Sequence, residues 1–179
     1  MKKILFVTFS GLLFLLFSCK SKDSGSMSAQ AQKNLDALHA ISKAIESGDL
    51  SKIGDYIAAD AVDHAGEHGD VKGLDSIKAE LAGWVNMATD MKSEIIKEFA
   101  DDDYVMSLMT QSGNLKVAAM GMPAGPYTMT TIEVSKFKDG KSTEHWTYMQ
   151  PAEMMKMMGG PQAPMDMKGD TTKKMDSKM

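Results

Sequence analysis

Glu133 and His145 are the two residues of this chain whose types and placing could move a proton. They flank Asp139-Gly140, a dipeptide able to take the positive φ of a hairpin reversal, in the stretch TMTTIEVSKFKDGKSTEHWTYMQ (Thr128–Gln150). Thr, Ile, Val, Phe, Trp and Tyr are dense on both of its arms, as strands require. A carboxylate and an imidazole side by side on paired strands could transfer protons, because a carboxylate neighbour and partial burial both move pKa values toward neutrality. The competing reading is the solvated face of an ordinary hairpin, because antiparallel sheets often show one side to water.

Two registers are open. A two-residue loop at Asp139-Gly140 pairs Val134 with His145. A three-residue loop, Lys138-Asp139-Gly140 with Gly140 in a G1 bulge, pairs Glu133 with His145. The second is preferred, since it gathers Thr131, Glu133, Ser135, Thr143, His145 and Thr147 on one face and leaves Ile132, Val134, Trp146 and Tyr148 on the other.

The elements that must position this ribbon lie before it. Leu35, Leu38, Ile41 and Ile45 recur at helical spacing from Ala29 until Ser47-Gly48-Asp49 stops the run. Leu50, Ile53 and Ile57 repeat the spacing in a shorter second helix, which leaves through Ala58–Ala61 toward Val62-Asp63-His64. A glycine-punctuated loop, Ala65–Gly73, leads to a third helix marked by Leu74, Ile77, Leu81, Trp84 and Ala88, with Asp75 suited to the dipole of its first turn. Strands are then expected at Met91–Ala100, Asp103–Gln111 and Asn114–Met120, with Gly121–Pro126 as a rigid turn kept out of any ladder by its prolines and glycines. Helices first and antiparallel strands after predict an α+β fold, three N-terminal helices covering one face of a curved antiparallel sheet and enclosing a pocket. Tyr56, Tyr104 and Trp84 are aromatic candidates to reach that pocket, although aromatic residues on amphipathic faces are core more often than ligand contacts. Pro151–Gly160 suits a short closing helix, and no internal repeat is present.

The first residues, MKKILFVTFSGLLFLLFSC, put Lys2 and Lys3 before an apolar run too short and wrongly flanked to span a membrane, the pattern of an export signal. Leu16-Phe17-Ser18-Cys19 resembles a bacterial lipobox, whose cysteine is acylated and becomes the mature N-terminus; the alternative is an ordinary secretory signal with an unmodified thiol. Cys19 is the one cysteine, so no intrachain disulfide holds the fold. The organisation predicted is a lipoprotein signal at 1–18, a Ser/Gly/Lys-rich tether at 19–30, one α+β domain at 31–159 and a Met/Lys-rich disordered tail at 160–179. This places the protein in the cell envelope, attached to the membrane through lipid on Cys19. Lys20 supplies no inner-membrane retention signal of the aspartate type, which favours the outer membrane. With the two signal lysines removed, 18 basic residues face 24 acidic ones, and no basic cluster suggests a nucleic-acid partner.

Three other patterns could carry chemistry. His64-Ala-Gly-Glu67-His68 fits the H-x-x-E-H zinc string, but Gly66 and Gly69 oppose the helix that would aim both histidines at one metal. Nine of the 18 methionines lie at or after Met149, and thioethers bind Cu(I); packing is the preferred reading, since Met154, Met155 and Met158 have helical spacing suited to closing a core and the rest fall in a bland tail. No nucleophile elbow, phosphate loop or dinucleotide glycine motif occurs, so phosphoryl and hydride chemistry are set aside, and no cofactor or metal is expected.

Taken together, Asp63-His64, Gly83-Trp84-Val85, Gly121-Met122-Pro123, Asp139-Gly140-Lys141, Glu144-His145 and Met154-Met155 through Gly159 follow in the order seen in the SnoaL-like polyketide cyclases, of the nuclear-transport-factor-two-like superfamily. The resemblance covers about 125 residues, from Gln32 to Gly159. It implies a cone-shaped fold with a buried apolar cavity, and a homodimer through the outer sheet face. The cyclases use an aspartate as acid/base, which by resemblance falls at Thr147, and a second pocket histidine falls at Glu133. A hydroxyl cannot take the aspartate's place, because its pKa is too high to exchange protons near neutrality. The resemblance thus implies a cavity lined by Glu133, His145, Thr147 and Thr131, with Trp84 and Tyr56 in reach and Asp63 and His64 at its mouth, and it argues against aldol cyclisation itself. Two functions compete, beside a third class, a purely structural envelope protein acting through the Met-rich tail at Pro161–Met179. One is a pocket binding a small, mostly apolar molecule; the other is an isomerase, cyclase or hydratase with Glu133 or His145 as proton carrier.

Overall fold

A computed structural model describes residues 27–66, 68–119 and 121–157. The expected signal, Cys19, most of the tether and the tail beyond Met157 lie outside the described residues.

Helix α1 (Ala29–Ser47) begins where Ser28 Oγ accepts from Ala31 N at 3.0 Å and ends at Gly48, whose φ of 75° lets its N–H reach Ile45 O. A single 3-10 turn (Ile53–Asp55) leads to strand β1 (Ile57–Asp63), and a two-residue strand β2 (Val71–Lys72) pairs back on β1 before helix α2 (Leu74–Met87). Four long strands follow: β3 (Ala88–Ala100), β4 (Tyr104–Leu115), β5 (Gly125–Lys138) and β6 (Lys141–Met149). A short helix α3 (Pro151–Met157) closes the described chain. They form one six-stranded sheet in the order β2-β1-β6-β5-β4-β3.

The expected second helix is therefore not present. Leu50, Ile53 and Ile57 are buried, and with Ala61 and Ile77 they make one core cluster between β1 and α2. Each such burial is worth about 1.5–3 kcal/mol. The apolar spacing was right and the backbone was not, because three positions over eight residues do not separate a helix from a turn running into a strand. β1 reads Ile-Ala-Ala-Asp-Ala-Val-Asp, poor in strand formers, and its pairing with β6 overrides that propensity. This pairing is parallel, so the sheet is mixed rather than wholly antiparallel. Among the described residues two α-helices, not three, precede the long strands.

Two further expectations change. Among the described residues no separate strand spans the expected Asn114–Met120; β4 runs on to Leu115, and an isolated bridge joins Ala119 to Met122. Gly125 and Pro126 do enter the ladder, opposite Leu115 and Asn114. Proline is tolerated there because β6 stops opposite Thr131, leaving the other side of β5 free of a neighbouring strand at that end. Glu153 of α3 covers part of this edge, its Oε2 accepting from Thr130 N at 3.0 Å. Met154 and Met155 of α3 are about half exposed and do not close the core as their spacing suggested.

α1 is held against the sheet at its first turns. Asn34, fully buried, donates to the carbonyls of Asp101 at 3.2 Å and Asp102 at 3.0 Å, on the corner between β3 and β4. Ala37 and Leu38 pack on Val105 and Phe137 beside it.

The hairpin of β5 and β6 turns at Asp139 (φ 55°) and Gly140 (φ 81°), a two-residue reversal with Lys138 opposite Lys141 and Phe137 opposite Ser142. Lys136 then lies opposite Glu144, which leaves Thr143 as an extra residue in a bulge. Neither expected register survives, since Ser135 faces His145 and Glu133 faces Thr147. The division of faces does survive for most residues, because the bulge restores the parity that the two-residue loop alone would have reversed. Thr143 is the exception. Its hydroxyl donates to Lys136 O at 3.2 Å, and Ser142, not Thr143, lines the interior.

Candidate functional site

Between α1, α2 and the inner face of the sheet lies a partly open cavity of about 280 Å³. Leu38, Ile41 and Ile45 of α1 and Ile77, Leu81 and Trp84 of α2 form its helical wall. Across it stand five methionines, Met91, Met109, Met122, Met129 and Met149, with Tyr127, whose burial raises its phenol pKa. A polar strip crosses this apolar lining on β1, β6, β5 and β4.

The centre of the strip is His145. β1 and β6 run parallel with Asp63 opposite His145, and His64 N donates to His145 O at 2.8 Å, so the two side chains sit side by side on the inner face. His145 Nδ1 is 3.1 Å from Asp63 Oδ1, and Nε2 is 2.8 Å from Glu133 Oε2. Only the doubly protonated ring donates from both nitrogens, so this geometry is that of an imidazolium between two carboxylates. Burial opposes its charge, but the hydrogen bonds and charges of Asp63 and Glu133 prevail and raise its pKa to about 10. Burial likewise pushes both carboxyls up. The hydrogen bond from His145 and its charge outweigh this, holding Asp63 and Glu133 below their ordinary values.

Glu133 is the more deeply placed carboxylate, 7 % exposed. Thr147 donates to its Oε2 at 2.6 Å, and Gln111 Nε2 reaches its Oε1 at 2.9 Å and Thr131 Oγ1 at 3.3 Å. Asp63 Oδ1 also accepts from Ala65 N at 2.9 Å. His145, Thr147, Gln111 and the Ala65 N–H thus each donate to a carboxylate, as buried charge requires.

Of the residues singled out in the sequence, the structure brings Glu133, His145, Thr147, Thr131, Asp63 and Trp84 to the cavity. Asp63 is not merely at the mouth; it is a direct partner of the imidazole. His64 and Tyr56 are not in the lining. His64 turns to the outer face, stacks on Trp146 with ring centroids 4.8 Å apart, and pairs with Asp70 at 3.0 Å, the hydrogen bond that raises its pKa. Tyr56, at the end of the 3-10 turn, packs beside Phe137 and Val105 instead. The zinc string forms no helix, since His64 and Ala65 lie in a turn; Glu67 lies outside the described residues.

Gln111 and the methionine wall were missed. Along β4, Val105, Ser107 and Met109 are buried while Tyr104 and Met106 are exposed, so apolar side chains occupy both faces and alternation could not show which way Gln111 points.

Residues 35–158 match the family model described as SnoaL-like polyketide cyclase. Among solved structures, the chain is similar to wild-type IdmH, a candidate polyketide cyclase from Streptomyces antibioticus, at 26% identity and TM-score 0.56, over 70% of this chain and 98% of that one. It is similar to an LEH-like epoxide hydrolase of Mycobacterium tuberculosis at 15% identity and TM-score 0.61, over 73% and 88%. A protein of ketosteroid isomerase-like fold from Catenulispora acidiphila, solved in complex with trimethylamine, matches at 18% identity and TM-score 0.57, over 71% and 95%. No curated protein matches significantly. The family match spans well over half of the sequence, and the chain belongs to the SnoaL-like polyketide cyclase family.

Proposed function

We propose that this protein binds a small, mostly apolar molecule in the cavity, oriented by the Asp63–His145–Glu133 strip, and that binding rather than turnover is its role. The observation that carries this reading is the composition of the cavity: aliphatic, thioether and aromatic walls crossed by one hydrogen-bonded polar strip. The strip itself favours binding. An imidazolium fixed by two carboxylates does not accept a proton near neutral pH, and a carboxyl held below its ordinary pKa is a weak base. Thr147, where the family's aspartate falls, donates its hydroxyl to Glu133 and adds no acid.

The same reading includes a lipid anchor on Cys19 in the cell envelope, the outer membrane in preference to the inner, supported by the lipobox-like Leu16–Cys19 alone. It also includes a homodimer through the outer sheet face. There Phe99 pairs with Met106 and Ile132 with Tyr148, all four at least 40% exposed, and Val134, opposite Met106, lies two residues from Ile132 on β5. Native mass spectrometry of the protein purified from its own membranes tests the central claim: a bound small molecule of defined mass is expected, released on denaturation. A ligand-free spectrum at every preparation, with no binding in a library of apolar compounds, would end it. Globomycin-sensitive processing and loss of membrane retention in Cys19→Ser test the anchor.

The enzyme reading rests on one contact, the 2.8 Å bond between a buried carboxylate and an imidazole. An isomerase or hydratase using Glu133 would exchange protons of the bound molecule with solvent. Deuterium uptake from D2O by wild type, absent in Glu133→Gln, would favour it over simple binding.

A further inference from the structure

The polar strip carries two carboxylates, Asp63 and Glu133, and one base, His145. In either protonation state of the imidazole, the carboxylates outnumber the positive charges. Among the described lining residues no lysine offsets these two carboxylates. The chain contains no arginine. Surplus negative charge beside walls of Ile, Leu and Met is costly unless a cation or strong donor approaches it.

Two features fix where that cation would go. Glu133 is the more fully engaged of the two, with His145 and Thr147 on one oxygen and Gln111 on the other. Asp63 accepts two hydrogen bonds, both at Oδ1, where a carboxylate has about four acceptor positions. Its side chain is 17% exposed and lines the cavity. Trp84 and Tyr127 stand in the walls, and aromatic faces attract cations. The five methionines complement a flexible or aromatic body, since thioethers adapt in shape and make favourable contacts to rings.

We propose that the ligand of this cavity is a lipophilic amine bound as its cation, the ammonium at Asp63 and the apolar body along the methionine wall. This rests on the binding reading above and names the chemical class that the site selects; carboxylic acids of the same shape are excluded by like charge.

The test is a matched set of probes on the wild-type protein at pH 7: an amine, an alcohol and a carboxylic acid, each on a naphthylmethyl and on an n-octyl body, measured by isothermal titration calorimetry. The amine is expected to bind about tenfold or more tighter than the alcohol, as a charge-assisted hydrogen bond supplies, and the acid more weakly than either. In Asp63→Asn the amine's advantage should fall to within about threefold of the alcohol, while alcohol binding persists. Equal affinities for amine and alcohol, or tighter binding of the acid, would overturn the charge selection and leave the apolar pocket standing. No binding by any of the six would overturn both. If Asp63→Asn does not fold, the wild-type comparison decides alone.

Discussion

Glu133 and His145 do not face each other across the hairpin; they meet on its diagonal, Glu133 opposite Thr147 and His145 opposite Ser135, with Oε2 and Nε2 2.8 Å apart. A diagonal contact lets the imidazole lie between strands, so its other nitrogen reaches Asp63 on β1 at 3.1 Å. The parallel pairing of β1 with β6 is therefore what turns an acid–base pair into a three-membered ion cluster.

His145 is expected to remain an imidazolium through neutral pH and to lose its proton near pH 10, whereas a solvated histidine titrates near 6.5. Nitrogen-15 NMR of the ring follows this directly. Glu133→Gln should lower the midpoint by more than one unit, and a wild-type midpoint near 6.5 would contradict the proposed cluster.

The same cluster ties stability to pH. His145 has a folded pKa above its unfolded one, so its contribution is complete below about pH 6.5 and is lost as pH rises through about 10. Asp63 and Glu133 are held below their ordinary values, so theirs is present above those values and lost as acid is added. Urea unfolding should show His145→Gln less stable than wild type by about 2–3 kcal/mol at pH 6, with a clearly smaller gap at pH 10. Water reaches the ring, which is 29% exposed, and screens the pair. A gap that widens with pH would reverse the assigned charges.

Gly113 faces Tyr127 across β4 and β5, and a Cβ there would lie 2.8 Å from the ring's Cε1 and Oη. Gly113→Ala should cost about 1–3 kcal/mol in unfolding free energy. It should also move the Tyr127 phenol, lowering its pKa toward the ordinary value as the ring leaves its buried place, which ultraviolet titration reads.

On the outer face, Ile132 lies opposite Leu108 on β4 and Tyr148 on β6, near the middle of the apolar surface. Ile132→Asp is expected to convert a dimer to a monomer in sedimentation velocity, with unchanged binding of cavity probes. A wild-type monomer at micromolar concentration would dispose of the dimer.

Much of this was legible before any coordinates. Alternation along Thr131–Ser135 and His145–Tyr148 assigned the inner and outer faces because polar and apolar residues separate cleanly there. α1 and α2 were legible from their spacing and from Ser47-Gly48. β1 was not, since Ala-Ala-Asp-Ala carries no strand signal and its pairing is set by β6. Without β1 the partner of His145 could not be known, and Asp63 was left at the cavity mouth. Proline and glycine misled at Gly125-Pro126, where the absence of a strand beside that end of β5 removes the usual objection to proline.

The bulge at Thr143 sets how this chain can vary in length. Between the turn and Glu144 residues must be added or lost in pairs, or the final strand comes out inverted, its indole swung toward the helices and its imidazole toward solvent. Relatives that drop the bulge should therefore lengthen the turn by one residue, conserving even spacing between the glutamate and histidine positions rather than loop sequence.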